Sequence, residues 1–388
     1  MKNKRSKKAA VICFGNALED PRPARLISFL KQRDYEITVF SDALSPTADL
    51  VHVKLEAHLI RNPTNILFKI IKVIFYLSRK LFAFNIFRDW LNSILYGYSR
   101  LCKQTVDVPF EFVVCHDIYL LDFALQMKKK EETKNVFFDA REFYPRQFET
   151  SSTFKFFEMK ERHRLCKRNL SMSDKIFTIG DGLSQLYQYY YSVNPIVIMS
   201  APEYVDAKKS TETNSKKIKI VHHGVANRNR KIENMIEIVS RAEKRYHLDL
   251  YMTGDLQYRN ELLGNLKSSR IRILEPVPYE QLIPTLSNYD LGMIYIKPET
   301  INLKYGLPNK FFEYIQARIA IFCGPIFDQK NILEKHATGF VCKDFTLSSA
   351  IKLLNSISAK EIDAHKRKSF ELAKIYNFEN EVKKTGIL

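Results

Sequence analysis

The run from Tyr289 to Pro325, YDLGMIYIKPETINLKYGLPNKFFEYIQARIAIFCGP, holds the densest set of groups able to do chemistry. Pro308 suits the first turn of a helix, where its missing N–H is not needed. At about 100° per residue, Asn309, Lys310, Glu313 and Tyr314 share one face of that helix, and Phe311, Phe312 and Ile315 share the other. A helix opening after Gly306-Leu307-Pro308 presents free backbone N–H groups and the positive end of its dipole. Lys310 adds a full charge there, and the combination makes a cradle for a diphosphate. Glu313, one turn further in, is placed to accept hydrogen bonds from a ribose diol. The alternative is an amphipathic helix with a routine i,i+3 Lys–Glu pair.

The elements around this run alternate between short apolar stretches and helical patterns. Ala9–Phe14, Glu36–Phe40, Phe112–Cys115, Val136–Phe138, Lys175–Ile179 and Ile196–Met199 read as buried strands. The polar stretch Lys208–Lys217 reads as a linker, after which the alternation restarts at Ile218–His222. It continues through Leu248–Thr253, Ile271–Leu274, Leu291–Ile296 and Ile319–Cys323. Apolar runs separated by helical patterns indicate βαβ units and a parallel sheet. The expected class is α/β, with two Rossmann-like domains facing a central cleft. The domains are predicted over 1–205 and 206–365, with a C-terminal helix over 366–388 crossing back to the first.

The chain has 388 residues and a net charge of +18, and neither half holds the excess alone. A basic surface attracts phosphates of any kind. A nucleic-acid module more often gathers its charge on one face, and no known nucleic-acid motif occurs, so nucleic acid is not expected as a partner. The six cysteines include no CxxC pair and no zinc spacing, as in buried thiols of a reducing cytosol. The opening MKNKRSKK reads as a solvated tail before the first strand, and no segment is apolar for the roughly 18 residues a membrane span needs. Residues 59–106 form a helical insert rich in Phe, Leu, Ile and Tyr. It carries Arg61, Lys69, Lys72, Arg79, Lys80, Arg88, Arg100 and Lys103 against one acid, Asp89. Such a basic, aromatic, amphipathic region fits an anionic membrane surface; the alternative is helices packed on the sheet with a solvated basic face.

GLPNKFFEYIQARIAIFCGP resembles the donor-site segment of family 4 glycosyltransferases, which have the GT-B fold, in the capsule and surface-polysaccharide branch with a PNK-type helix start. Four further segments agree in collinear order: DPRPARLISFLKQRDYEITVF, FEFVVCHDIYLL, FFDAREFYP and IVHHGVANRNRKIENMI. The resemblance implies a retaining, metal-independent hexosyltransferase with no cofactor beyond its donor, a UDP-sugar first among candidates. The acceptor would be a lipid-linked oligosaccharide and the location cytoplasmic, peripheral at the inner face of the plasma membrane. No Asp-x-Asp motif occurs, as expected where a cationic site replaces a metal in stabilising the leaving diphosphate.

Residue by residue, the resemblance gives Glu313 to the ribose, and Pro308, Asn309 and Lys310 to the helix start facing the phosphates. It gives Arg230 to the diphosphate, with Arg228 as a second candidate. It gives His116 to the sugar, and Gly15 to the turn where an acceptor or phosphate approaches. Gly224 would let the backbone approach the ligand. Tyr305 stands eight residues before Glu313, where many members have a second acid that contacts the sugar. Gly224 also stands where a further basic contact is usual, six before Arg230. Asp139 and Glu142 are candidates for an acceptor hydroxyl or for capping the Tyr144–Pro145 turn. His116 has a bland reading as a strand-end histidine bonded to a backbone carbonyl. His222 and His223, adjacent on a strand, point to opposite faces and are not expected to line one site. The stretch Lys155–Arg168 reads as a solvated basic helix. A non-catalytic GT-B-like binding protein is the alternative function, motivated by Tyr305.

Overall fold

The computed structural model describes residues 7–44, 49–57, 66–81, 85–103, 109–206 and 211–387. Most of the basic tail, insert residues 59–65 (with Arg61), 82–84 and 104–106, and residues 208–210 of the linker lie outside that set. Contacts divide the chain into two units, Met1–Val197 and Ile198–Leu388. Residues 199–205 go with the second unit because its C-terminal part holds them. Met199 N–H donates to Glu381 at 2.8 Å, and the carbonyl of Pro202 accepts from Phe378 N–H at 2.8 Å. The helices Ala359–Leu372 and Phe378–Lys383 are likewise counted within the second unit.

The first unit is a seven-stranded sheet of β1 (Lys7–Ile12), β2 (Tyr35–Ser41), β3 (Val51–Lys54), β4 (Phe110–Cys115), β5 (Thr133–Ala140), β6 (Lys175–Thr178) and β7 (Ile196–Val197), in the order 3-2-1-4-5-6-7. The second has β8 (Ile218–Ala226), β9 (Tyr246–Gly254), β10 (Ile271–Leu274), β11 (Leu291–Ile294), β12 (Ala320–Cys323) and β13 (Gly339–Val341), in the order 10-9-8-11-12-13. Every strand pairing in both sheets is parallel. Parallel strands buried on both faces read as continuous apolar runs, and Ala9–Ile12 and Leu291–Ile294 are buried throughout. β3 and β13 escape a search for such runs because they are short edge strands with little buried surface.

The strand order reverses between β1 and β4 in the first sheet and between β8 and β11 in the second. Loops leaving the carboxyl ends of strands on either side of a reversal diverge, which opens a crevice in open parallel sheets. Gly15 follows β1 and His116 follows β4, while His222, His223 and Gly224 lie near the end of β8. Gly15, His116 and the His222–Gly224 strand end thus lie where topology leaves room for a ligand in each sheet.

Candidate functional site

In the second unit the Asn309–Gln316 helix starts directly from Pro308, whose extended backbone (φ −77°, ψ 156°) and lack of any capping side chain leave the first-turn N–H groups without a side-chain acceptor. Residues 310–316 are buried on every side, so the expected split into a polar and an apolar face gives way to a helix enclosed by the domain. Lys310 and Glu313 are among the buried residues. The Lys310 ammonium donates to Nε2 of His222 at 3.3 Å, and Glu313 Oε2 lies 3.2 Å from Nε2 of His223. The two histidines do diverge, as strand geometry requires. The helix sits over the strand end, so both reach it, three residues apart, and the expectation that they serve separate places is corrected.

Gly224, two residues after His222, has φ +125°. A Cβ there would sit 3.0 Å from Lys310 Nζ and 3.8 Å from an Arg230 guanidinium nitrogen. Glycine therefore leaves the space in which the two cations meet. Arg230 ends the 3-10 turn Arg228–Arg230 and donates to the Val225 carbonyl at 3.2 Å. Among the described residues neither cation forms an ion pair with a carboxylate. Burial, then the Arg230 charge, brings Lys310 down to about 7 against the opposing pull of Glu313. Burial also lowers Arg230, and burial and Lys310 hold His222 neutral, well below the usual histidine range. Two desolvated cations with no acidic partner make a site that an incoming anion completes.

Arg228 is committed elsewhere: its two terminal nitrogens lie 2.7 Å from the two carboxylate oxygens of Glu261, in an exposed fork. Glu299 pairs with Lys231. Tyr305 caps the short Ile301–Lys304 helix and sets its ring edge-on to Phe327 at 5.7 Å.

In the first unit, His116 Nδ1 lies 3.0 Å from Asp139 Oδ2, and Arg22 grips the same carboxylate through Nε at 2.6 Å and Nη2 at 2.7 Å. Ile12, Cys115 and Phe138 are in register on β1, β4 and β5, which sets the residues that follow them side by side. Burial alone would raise Asp139. The Arg22 charge and His116 more than offset it and hold the carboxyl well below the usual range. Both oxygens are therefore engaged, so Asp139 is not free for an acceptor hydroxyl and does not cap the Tyr144 turn. It lies against His116 instead. Neither ring nitrogen of His116 makes a hydrogen bond of good geometry among the described residues: Nδ1 faces Asp139 at 3.0 Å and Nε2 has no partner. Gly15 N–H donates to Asp42 at 2.6 Å. Glu142 is raised by burial, with Gln147 and Arg141 opposing. Arg22 and His222 went unassigned in the sequence. Arg22 lies inside the DPRPARL segment, but nothing in the segment marks its partner 117 residues away.

No family model and no curated protein matches the chain. Solved structures do. Sucrose-phosphate synthase from Thermosynechococcus elongatus superposes with a TM-score of 0.68 at 10% identity, over 98% of this chain and 97% of that one. An E. coli trehalose-6-phosphate structure bound with UDP-2-fluoro glucose gives 0.66 at 10% identity, over 98% of each. WaaG, a glycosyltransferase involved in lipopolysaccharide biosynthesis, gives 0.59 at 11% identity, over 97% of this chain and 98% of that one. The chain has the GT-B fold. Within it, the switch points of both sheets carry the groups described above.

The GT-B scaffold here carries an unusual surface in its first unit. On the Ile66–Leu81 helix, Ile66, Ile70, Ile74, Leu77 and Leu81 form one exposed stripe, the end residues 77% and 80% exposed. Arg79 instead points inward at 2% exposure and donates to Asn92 at 3.1 Å and to the Phe157 carbonyl at 2.8 Å. Arg79 is the exception among the basic residues of this helix: Lys69 and Lys80 are exposed beside the apolar stripe, while Ile71, Phe75 and Tyr76 are half-buried on the inner side, so the exposed face is both apolar and basic. Ile86 and Trp90 on the Asn85–Leu95 helix are exposed as well. The stretch Lys155–Arg168 is not a solvated face. It spans two helices, Ser152–Phe157 and Met159–Asn169. Arg164 and Arg168 bridge to Asp89, and Glu161 is buried against Arg88, Asn92 and Arg164. No helix among the described residues is long and apolar enough to cross a membrane.

Proposed function

We propose that this protein is a retaining, metal-independent hexosyltransferase. It would move a sugar from a nucleoside-diphosphate donor, a UDP-sugar foremost, to a hydroxyl of a lipid-linked oligosaccharide in surface-polysaccharide synthesis. The observation that carries the reading is the pair of desolvated, acid-free cations, Lys310 and Arg230, meeting beside Gly224 at the switch point of a GT-B second domain. As the bond from sugar to diphosphate breaks, negative charge grows on the leaving phosphate. Lys310, Arg230 and the N–H groups opening at Asn309 stabilise it, which lowers the barrier without a metal. Glu313 holds the ribose. His116, which lies against the Asp139 carboxylate that Arg22 grips, is assigned to the sugar. No group stands out as a general base or covalent nucleophile.

The exposed apolar stripe of the Ile66–Leu81 helix supports a place at the inner face of the plasma membrane. The stripe matches an interfacial layer, and Lys69, Lys72 and Lys80 beside it match anionic headgroups. A lipid-linked acceptor would be reached from that surface.

The test is calorimetric titration of the purified protein with UDP, GDP, CDP and dTDP in the presence of chelator. One diphosphate should bind, and Glu313→Ala should weaken it by about tenfold or more, the scale of a hydrogen bond to a charged group. His116→Ala should leave that affinity intact and lower turnover by about a hundredfold, the scale of a misplaced substrate. Binding without any donor turnover would favour a non-catalytic nucleotide-binding protein. No binding by a folded sample would end the glycosyltransferase reading.

A further inference from the structure

Lys310 is held differently from a structural lysine. Its Nζ is buried, and its hydrogen-bond partner is an imidazole rather than a carboxylate. The tautomer of that imidazole is set from behind. His222 Nδ1 lies 2.8 Å from the Met293 carbonyl oxygen, which can only accept, so Nδ1 carries the proton and Nε2 the lone pair. A lone pair on Nε2 accepts an N–H from an ammonium and, less strongly, from an amine. His222 therefore fits Lys310 in both protonation states, whereas a carboxylate in its place would lock the charge in.

The groups facing Lys310 lean both ways. Arg230, from the turn after β8, opposes its charge, and Glu313, on its own helix, favours it. Glu313 does not pair with Lys310, because its Oε2 lies against His223. His222 and His223 are both neutral-leaning through burial and bring no compensating negative charge. Burial and Arg230 outweigh Glu313 and leave Lys310 at about 7, a value at which the ammonium is easily lost.

Resting on the reading of this pocket as a diphosphate site, we propose that the empty site releases a proton from Lys310 Nζ to solvent and regains one when a nucleoside diphosphate binds, His222 positioning Lys310 in both states. Only an N–H bond on Nζ breaks and re-forms, and solvent takes and returns the proton. The empty site thereby avoids a buried cation set against the part-exposed charge of Arg230, and the loaded site has both charges. The bound anion raises Lys310, so the proton is taken up between the free and the bound values. Uptake falls toward zero at pH 6, where the free lysine is already charged, and approaches one proton at pH 8. Affinity must then fall as pH rises above 7, by up to about tenfold per pH unit.

The experiment is titration calorimetry of the full chain with the same four diphosphates, with chelator, at pH 6 and 8, each in two buffers of different ionisation enthalpy. We expect uptake at pH 8 in the wild type and none in Lys310→Arg, whose guanidinium stays charged and whose affinity is flat with pH. His222→Asn, too short to reach Nζ, should weaken binding at both pH values with an intact circular dichroism spectrum, and His222→Gln should restore it. Binding without uptake in the wild type, or uptake that persists in Lys310→Arg, overturns the proposal and leaves the diphosphate reading standing. Unchanged affinity in a folded His222→Asn overturns the positioning role. No binding of any of the four overturns both readings.

Discussion

Asp139 is a buried carboxylate that two partners keep ionised, one of them through a two-pronged guanidinium. Removing one member of a buried charged group leaves the others uncompensated, at a cost of about 3–5 kcal/mol. Asp139→Asn should lower stability by about that much at pH 7, read from denaturant unfolding. The sign of its pH dependence follows from the shift. The folded carboxyl titrates below its unfolded value, so the stabilisation is complete above about pH 4 and is lost as pH falls through the folded value. The gap between wild type and Asp139→Asn should therefore close on acidification. A gap that stayed constant down to pH 3 would mean that the charge of Asp139 is not what stabilises the fold. At Lys310 the same physics runs the other way. There no carboxylate offsets burial, and the charge becomes conditional.

The Asn309–Gln316 helix is placed by what it packs on. A Cβ on Gly292 of β11 would overlap the Tyr314 ring, so glycine is what lets this helix lie directly on the sheet. Gly292→Ala should cost about 1–3 kcal/mol as overpacking. It should also weaken diphosphate binding, because Lys310 and Glu313 ride on the same helix. Pairing it with Tyr314→Leu should recover part of the stability, and a double-mutant cycle on melting data would expose the coupling. Additive losses would place the strain elsewhere. The periodicity of this segment located the helix and its charged residues. It could not show that the helix is enclosed, because periodicity reports contrast between faces and not what lies against each.

Over the whole molecule, the proposed anionic surface rests on the net charge of +18 and the exposed apolar stripe of the Ile66–Leu81 helix. The protein should sediment with vesicles rich in phosphatidylglycerol and not with phosphatidylcholine alone, and added salt should weaken binding. Ile70→Glu with Ile74→Glu should abolish sedimentation and change the melting temperature little, since about half of each side chain is already in water. A dimer dissolved by the same pair would assign the stripe to a second copy of the chain instead.

The alternation of apolar runs and helical patterns was enough for two parallel α/β units. A buried parallel strand needs little more than a short apolar stretch with turn residues at its ends. The helix start at Pro308, with Lys310 and Glu313 a turn apart, was equally legible, since capping and dipole are local. What decided the sites was long-range. Arg22 meets Asp139 across 117 residues, and Lys310 meets His222 across 88. No local rule encodes such a return of the chain, and so Asp139 looked free and Arg228 looked available until their partners were in view. Which way the Ile66–Leu81 helix turns its apolar stripe was decided the same way. A hydrophobic pattern gives a helix two unlike faces, and only packing of Arg79 against Asn92 and Phe157 chooses the one that is buried.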